Sequence, residues 1–468
     1  MFSIKLRYLS YFSFLIAIAT LLNIFNCYYL NLYLNLNTYF ISFIVSIFIG
    51  LLFYKEKNME KNNNIFNKIL TIIIGFVLFP AVLSLPFYLS IYNLSFINSF
   101  FEAISGFSST GFTIFENVEK LENPLIVWRS FIQWIGGLYF LFSIIFLIDL
   151  YDDNFKKTLT NYISINNTEI LNQIFKILIL YTSLTIIIFL ILNIFEISFF
   201  NSLNLAMTII SSGGFLPVND FADVIINEKQ KIILSLLMLI SFFSIFFTYN
   251  LFIVKNKNID FFYEDIHLLV YLIFLILFFY IFLNFNDNFT NIFLVICTSV
   301  SNIGISDTLN NVSYNFILLI LVIIGGSFFS TSSGIHFVKI YSLFNYSLNQ
   351  ILSFSKPKYV FKNKLFFTKI SFDFNEINKY FLSILMFILS FFFLCLLLSL
   401  SGIEFEEVFK LSILTLTNTV NSSAYGLAEF NFENLNFFTK FYLIFFMIIG
   451  RIGFLSFLLI LKKFLFKN

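Results

Sequence analysis

Long apolar runs separated by short polar segments take up almost the whole chain. Two runs come first, at about 9–30 and 34–54, and a polar linker with four lysines follows at 55–68. From there one pattern occurs four times: a long apolar helix, a short apolar half-helix, a polar break and a second long helix. Because about 20 apolar residues span a bilayer, the pattern predicts an all-α polytopic membrane protein with ten spans and four re-entrant segments.

The four units have the same order of parts and differ mainly in their connecting loops. Their parts are predicted at about 69–91, 95–107, 108–113 and 126–148; 171–195, 199–210, 211–216 and 229–253; 266–285, 289–300, 301–306 and 314–341; and 378–401, 404–418, 419–427 and 437–461. The chain then divides into an N-terminal helix pair with its cytoplasmic linker at 1–68 and repeats at 69–150, 151–260, 261–365 and 366–468. Since internal repetition of one unit is typical of a single architecture, we expect four helix–pore-loop–helix units around a central pore, plus two N-terminal helices.

Composition supports this placement in a membrane and excludes several functional classes. Of the 468 residues, 59% are hydrophobic and 12% are charged, and the mean hydropathy is +0.90, which is far from the usage of soluble proteins. The three cysteines, Cys27, Cys297 and Cys395, lie in apolar runs without metal-ligand spacing. The two histidines, His267 and His336, are far apart in sequence and form no catalytic cluster. We expect no enzyme, no resident cofactor and no nucleic-acid binding.

The distribution of charge orients the spans. With both termini cytoplasmic, the inner segments hold 21 of the 28 Lys and Arg residues, as the positive-inside rule predicts. The same orientation requires each half-helix to enter and leave on the outer side. Acidic residues lie near the breaks on that side, and a negative vestibule concentrates cations at a pore mouth.

The polar breaks carry the candidate chemistry. The clearest lie at 107–112, 210–215 and 300–305, and each has a Ser or Asn shortly before a Gly. Irregular backbone at membrane depth is tolerated only where it is buried in protein or lines a water-filled path. Backbone carbonyls can coordinate a dehydrated monovalent cation, and glycine permits the backbone to turn them inward. One such break alone indicates a surface turn, but four in phase with the helices predict a carbonyl-lined cation pore.

At residues 128–137, 325–335 and 449–453 the chain resembles TrkH-type subunits of the Trk/Ktr/HKT superfamily of potassium transporters. Residues 128–137 are similar to the pattern that opens the second helix of the family's first repeat. Residues 325–335 resemble the glycine- and serine-rich break in the second helix of its third repeat, and 449–453 resemble its Gly-Arg element in the last helix. The resemblance covers nearly the whole chain. The two extra N-terminal helices match the TrkH branch better than the shorter KtrB branch.

The resemblance implies a potassium-binding filter with one segment from each repeat. In the first three repeats its residues are Ser109, Thr110, Gly111, Ser212, Gly213, Gly214, Asn302, Ile303 and Gly304. In the fourth repeat, pairing Asn421 with Asn302 places Asn421, Ser422 and Ser423 in the filter, with Ser423 in the glycine position. Either the filter has three glycines and a serine, or the fourth loop carries an insertion and Gly426 belongs there. In the family's eukaryotic branch, serine for glycine in the first segment accompanies sodium permeation, so the sequence leaves open whether K+ or Na+ is selected.

The resemblance also implies a gate beneath the filter. An intramembrane gating loop is expected from Gly325, Gly326, Ser327, Ser330, Thr331, Ser332, Ser333 and Gly334. Such a run is costly to keep as regular helix. Arg451 is a single cation in an apolar helix, which is costly unless it faces water or a partner. The family places this arginine near the pore, as an electrostatic barrier and a contact for the gating loop.

Potassium uptake across a bacterial inner membrane is the function that the resemblance implies, with K+ as the transported ion and this chain as the conducting subunit of a Trk-type system. A homodimer is expected, bound to cytosolic nucleotide-binding RCK subunits of the TrkA type at the basic loops 255–257 and 356–364. The alternatives are a transporter permeable to both sodium and potassium and a cation symporter with proton coupling. A secondary transporter with a midplane site requires discontinuous spanning helices and intramembrane carboxylates, whereas the half-helices here re-enter from one side.

Overall fold

The computed structural model describes residues 6–55, 65–148, 170–254, 263–282, 288–305, 315–355, 374–428, 430–454, 456–459 and 462. Helices dominate these ranges, and seven of the described helices are long and apolar enough to cross a membrane. Several of them, such as Leu36–Tyr54 and Ile174–Ile194, leave most of their residues partly or fully exposed, as lipid-facing helices do. The prediction of an all-α polytopic membrane protein is confirmed.

In the first half of the chain the predicted order of long helices and half-helices is observed. The helices are α1 (Leu6–Leu30), α2 (Leu36–Tyr54), α3 (Ile65–Leu83), α4 (Leu85–Tyr88), α5 (Phe96–Phe107), α6 (Asn123–Phe146), α7 (Ile170–Ile194), α8 (Phe199–Ile210), α9 (Glu228–Phe242) and α10 (Ile245–Tyr249). Short 3-10 turns lie at Val118–Lys120 and Phe221–Asp223, and a π-helical turn follows α10 at Asn250–Val254. The predicted boundary between 68 and 69 falls inside α3, and the other predicted repeat boundaries lie outside the described residues.

In the second half of the chain one spanning segment is interrupted, as predicted. The elements are α11 (Tyr263–Phe282), α12 (Phe289–Val300), α13 (Asn315–Ile323), β1 (Ile324–Gly325), β2 (Ile335–His336), α14 (Phe337–Ser355), α15 (Phe374–Ser399), α16 (Phe405–Leu416), a 3-10 turn at Ser423–Tyr425 and α17 (Phe437–Ile452). β1 and β2 pair in parallel, with Ile324 opposite Ile335 and Gly325 opposite His336. This two-residue ladder closes a loop at 326–334 between α13 and α14.

The four half-helices α5, α8, α12 and α16 have 12 residues each. At 1.5 Å per residue they are about 18 Å long, too short for a hydrocarbon core of about 30 Å. Ser95 and Ser198 cap α5 and α8, because each side chain accepts a hydrogen bond from the N–H three residues later. The half-helices therefore start at defined points and end inside the protein.

The units pack in sequence order around one axis. Helix α6 of the first unit contacts α8 of the second, and α9 of the second contacts α12 of the third. Helix α13 of the third unit contacts α16 of the fourth, and α17 of the fourth returns to α5 of the first. The units form a closed ring in which the second and the fourth lie opposite each other.

Two adjacent glycines in α6 set the depth of the first two half-helices. A methyl group on Gly136 would lie 2.0 Å from the carbonyl oxygen of Phe107, the last residue of α5. A methyl group on Gly137 would lie 2.8 Å from Ser211 Cβ, directly after α8. Any side chain at either position would push α6 away from the half-helix ends. This close approach gives the Gly136–Gly137 pair its structural role.

The predicted helices at 437–461 and 229–253 are both interrupted. The first is continuous only to Ile452, because Gly453 follows with φ 91°. The apolar run at 229–253 predicts a continuous helix, but α9 ends at Phe242 and α10 begins at Ile245. The backbone is extended at Phe243, with ψ 162°. Neither glycine nor proline marks this break in the sequence. Its cause lies in the contacts with the 326–334 loop.

Candidate ion filter and gate

All four half-helices end in the same turn. A residue with left-handed φ follows each helix, with φ between 47° and 59°: Ser109, Ser212, Asn302 and Asn418. In each case the N–H of the next residue donates to the carbonyl five residues earlier, at 2.8–3.1 Å. The N–H of the left-handed residue itself donates to the carbonyl three residues earlier. This is the Schellman ending of a helix, with serine or asparagine where glycine is usual.

Side-chain hydrogen bonds connect consecutive turns around the ring. Ser212 Oγ donates to the carbonyl of Ser301, from the second unit to the third. Asn302 Nδ2 donates to Thr419 Oγ1 at 3.1 Å, from the third unit to the fourth. Asn418 Nδ2 donates to Thr110 Oγ1 at 3.0 Å, from the fourth unit to the first. These hydrogen bonds are donated by the side chains of the left-handed residues, so glycine in their place would remove the connections between turns.

The equivalence of the turns corrects the predicted register of the fourth loop. Asn418, and not Asn421, occupies the position of Asn302, since both have left-handed φ and the same pair of hydrogen bonds. Val420 is therefore the counterpart of Gly304. Asn421, Ser422 and Ser423 lie beyond the turn, with Ser423 in the following 3-10 turn. The prediction that Ser423 or Gly426 takes the glycine position is wrong.

Gly111, Gly214, Gly304 and Val420 come together at one level of the ring. A methyl group on Gly111 would lie 3.1 Å from Gly214 Cα, and one on Gly214 would lie 2.9 Å from the Ile303 carbonyl oxygen. The structure buries here every residue predicted for the first three filter segments: Ser109, Thr110, Gly111, Ser212, Gly213, Gly214, Asn302, Ile303 and Gly304. By contrast, the three residues predicted for the fourth segment are half-buried outside this level.

The 326–334 loop lies among the same helices, and its predicted polar residues Ser327, Ser330, Thr331, Ser332 and Ser333 are all buried. Inside the loop, Ser332 Oγ accepts from the Gly326 N–H at 2.9 Å and contacts Ser330 Oγ at 2.8 Å. A methyl group on Gly325 would lie 1.9 Å from the Ser333 carbonyl oxygen. The two ends of the loop are thus packed backbone to backbone.

Arg451 connects this loop with the first two turns. It is 1% exposed, and its guanidinium lies 3.9 Å from the centre of the Phe140 ring. It donates hydrogen bonds to Thr331 O (3.0 Å), Ser333 Oγ (2.5 Å), Ser109 Oγ (3.2 Å) and Ser211 O (3.4 Å). Among the described residues no carboxylate forms an ion pair with Arg451. Its charge is therefore balanced by oxygen dipoles and by the face of one aromatic ring.

Sequence comparison finds relatives over parts of the chain. No protein-family model matches it. An uncharacterized cation transporter of Methanocaldococcus jannaschii is 29% identical over 213 residues, which is 42% of this chain and 43% of that protein. The potassium uptake protein TrkG of the Escherichia coli Trk system is 30% identical over 106 residues, or 22% of each chain. The matches thus span less than half the length of these relatives.

Structural comparison extends the likeness to the whole chain. The crystal structure of the potassium transporter TrkH from Vibrio parahaemolyticus matches 97% of each chain with a TM-score of 0.80, at 18% sequence identity. The chain therefore has the fold of this potassium transporter. The sequence relatives are named as a cation transporter and as potassium uptake proteins, and none of them as an enzyme.

The break between α9 and α10 provides hydrogen-bond acceptors for the 326–334 loop. Because α9 ends at Phe242, its last carbonyl groups have no partner within the helix. The Phe242 carbonyl accepts from the Ser327 N–H at 3.0 Å, and the Ser241 carbonyl accepts from the Ser332 N–H at 3.2 Å. In return, the Ile245 N–H at the start of α10 donates to the Phe329 carbonyl at 3.1 Å. Two interrupted helices thus satisfy each other's backbone groups, as membrane depth requires.

Two acidic residues at the start of α11, missed in the sequence analysis, complete this region. Glu264 accepts from the Phe328 N–H at 3.0 Å and from Ser327 Oγ at 3.1 Å. Asp265 accepts from the Ser244 N–H at 2.8 Å, inside the break after α9. By sequence they belong to a charged cytoplasmic segment and give no signal of burial. Only the packing of α11 on both breaks reveals that they hold backbone groups of the loop and of the α9 break.

A buried ion pair behind the first turn is the second feature that sequence reasoning missed. Glu102 lies in α5 and Arg129 in α6, with Arg129 Nε 2.9 Å from Glu102 Oε1 and side-chain exposures of 0% and 2%. Glu102 also accepts from the Ile114 N–H at 2.9 Å, and Arg129 Nη1 donates to the Leu216 carbonyl at 3.5 Å. The pair thus connects the backbone that follows the first turn with the backbone that follows the second. The sequence does contain a signal for this pair, because Glu102 is the one charged residue in the half-helix Phe96–Phe107.

Replacing Glu102 by glutamine is expected to lower the stability of the folded protein. The change leaves Arg129 buried without its ionic partner, and removal of one member of a buried pair costs about 3 kcal/mol or more. The midpoint of thermal unfolding of the purified protein in detergent measures the effect. Glu119→Gln removes an equal charge from an exposed side chain and is expected to change the midpoint little. Equal midpoints for the two variants would contradict a structural role of the pair.

Proposed function

We propose that this chain is a TrkH-type member of the Trk/Ktr superfamily. In this proposal it conducts K+ inward across a bacterial inner membrane, with both termini cytoplasmic, as the ion-conducting subunit of a Trk-type potassium uptake system. The observation that carries the proposal is the closed ring of four half-helices with the same Schellman endings. Four equivalent turns at one level give four sets of backbone carbonyls around an axis, which is the arrangement that a dehydrated K+ requires.

Each element of the site has a role in this proposal. The filter consists of Ser109–Gly111, Ser212–Gly214, Asn302–Gly304 and Asn418–Val420, with the last segment in its corrected register. The 326–334 loop is the gate, since it lies against Arg451 directly beside the first two turns. Arg451 repels cations electrostatically and holds the loop in place. Both roles follow from its burial without a carboxylate partner among the described residues.

The proposal includes the lipid bilayer as surroundings, a second copy of the chain in a homodimer and cytosolic nucleotide-binding RCK subunits of the TrkA type. Relatives named as Trk system potassium uptake proteins support a multi-component system. The predicted docking loops at 255–257 and 356–364 lie outside the described residues. Transport of both sodium and potassium is the second candidate function, and Val420 in a glycine position is the observation that favours it. Proton-coupled symport is a further alternative for the same pathway.

Expression of the chain in a bacterial strain without its own potassium uptake is expected to restore growth at low potassium. Purified protein in proteoliposomes is expected to take up 86Rb+, and external K+ should compete more strongly than external Na+. Equal competition by Na+ would support the alternative of mixed permeability. Dependence of uptake on an imposed pH gradient would support proton coupling. Failure of both growth rescue and 86Rb+ uptake, with membrane insertion verified, would contradict the proposed function.

A further inference from the structure

Val420 places a branched apolar side chain in the ring, where the other three units have glycine. The hydrogen bonds of its turn match those of the other units, so its position is not the result of a shifted register. The backbone at Gly111 and Gly304 has positive φ, at 82° and 78°, whereas Gly214 and Val420 do not. The backbone at Val420 is therefore compatible with an L side chain, and a valine there is restricted only by the space around it.

The valine side chain contacts all three glycine positions. A methyl group on Gly214 would lie 2.4 Å from Val420 Cβ. Methyl groups on Gly111 and Gly304 would lie 2.9 Å from Val420 Cγ2 and 2.7 Å from Val420 Cγ1. Gly214 belongs to the unit opposite Val420 in the ring. A side chain that contacts both neighbouring units and the opposite unit lies across the axis that the four turns surround.

An isopropyl group at this point changes what a cation meets. A dehydrated monovalent cation needs oxygen ligands on several sides, and valine offers only its backbone carbonyl to the ring. Its two methyl groups cannot coordinate the ion and take up space on the axis. Val420 is 8% exposed and lies outside the apolar clusters formed by the described part of the chain. Its position is one where the pathway, and not the stability of the core, determines which residue is tolerated.

We infer that Val420 limits the rate of ion passage and sets the ion preference of the filter, as a specificity-determining residue of this chain. The inference rests on the proposed function, because it assigns a role within the same ion path. Passage requires the side chain to move off the axis, so smaller residues at 420 give faster flux. The larger K+ gains more from this widening than the smaller Na+ does. The preference for K+ over Na+ therefore rises as the side chain becomes smaller.

The test is a series at one position, Val420→Gly, Val420→Ala and Val420→Ile, reconstituted at equal density in proteoliposomes. We expect 86Rb+ uptake to rise by about tenfold in Val420→Gly, which corresponds to a barrier lower by about 1.4 kcal/mol. It should rise less in Val420→Ala and fall in Val420→Ile. K+ should compete more strongly, relative to Na+, in Val420→Gly than in the unchanged protein. Val408→Ala is the matched control, since Val408 is a fully buried valine of α16 packed in the core.

Three outcomes separate the inference from the proposed function. If the unchanged protein takes up 86Rb+ and every variant at position 420 has the same rate and ion preference, the inference is overturned and the proposed function stands. Uptake only after Val420→Gly supports the inference and contradicts potassium uptake by the natural chain. As a second measurement, K+-dependent thermal stabilisation of the purified proteins is expected to be larger for Val420→Gly. Absence of both uptake and K+-dependent stabilisation from every variant overturns both ideas.

Discussion

Replacing Gly214 by aspartate is expected to abolish ion uptake. The new Cβ atom would lie 2.4 Å from Val420 Cβ and 2.9 Å from the Ile303 carbonyl oxygen, and neither is the free end of a flexible side chain. The carboxylate also adds a negative charge inside the ring, where a bound cation would be held too strongly to leave. Uptake of 86Rb+ should fall to about 1% or less, since a barrier increase of about 2.7 kcal/mol reduces a rate about a hundredfold.

The chain contains a matched control for this change. Gly402 lies in the loop between α15 and α16, and a methyl group there would meet no atom within 4 Å. Its φ of 83° makes aspartate somewhat strained, but aspartate tolerates this region better than most residues. Gly402→Asp is therefore expected to keep most of the uptake. Undiminished uptake in Gly214→Asp, with both variants eluting as intact protein, would remove Gly214 from the ion path.

Replacing Arg451 by alanine is expected to raise the rate of uptake. A cation passing at ~6 Å from a guanidinium meets a repulsion of about 3 kcal/mol at an effective dielectric constant of ~20. Loss of even half this barrier corresponds to a rise of about tenfold. The same change releases the Thr331 carbonyl and Ser333 Oγ, so that the 326–334 loop loses its contact with α17. The initial rate of 86Rb+ uptake into proteoliposomes measures the effect.

The lysine variant separates the two roles of Arg451. Lysine keeps the positive charge but cannot donate to the loop and to both turns in the planar geometry of a guanidinium. If the barrier is electrostatic, Arg451→Lys should keep a low rate while Arg451→Ala raises it. If the main role is to hold the loop, both variants should raise the rate. An unchanged rate in Arg451→Ala, with intact protein, would contradict both roles.

The predictions that agree with the structure are those that depend on the local sequence pattern. Half-helices were expected at 95–107, 199–210, 289–300 and 404–418, and the structure has Phe96–Phe107, Phe199–Ile210, Phe289–Val300 and Phe405–Leu416. Their ends are encoded locally, because Ser or Asn in the left-handed region stops each helix by bonding back to its own last turn. The interruption at 325–334 was predicted for the same reason, since it is rich in glycine and serine.

The errors arise where the deciding contact is distant in sequence. In the fourth loop the sequence pairs Asn421 with Asn302, whereas the hydrogen bonds of the turn show that Asn418 is the equivalent residue. The helix break after Phe242 has no local signal, because its carbonyl groups are satisfied by residues of the 326–334 loop. The roles of Glu264 and Glu102 likewise depend on partners that lie 64 and 12 residues away in the chain. In each case a loop brings a backbone N–H group to the carboxylate, from Phe328 for Glu264 and from Ile114 for Glu102.

The hydrophobic pattern alone predicts the membrane class and the order of helices and half-helices, and it places the end of each half-helix to within about two residues. These features follow from hydrophobic runs of a given length and from the conformational preferences of residues close together in the chain. The tertiary structure is needed to show that Val420 contacts Gly111, Gly214 and Gly304 at one level of the ring. It is also needed to show that Arg451 connects the first two turns with the 326–334 loop. These contacts join residues of different units. Their distances depend on how the four units close around the axis, which no local pattern specifies.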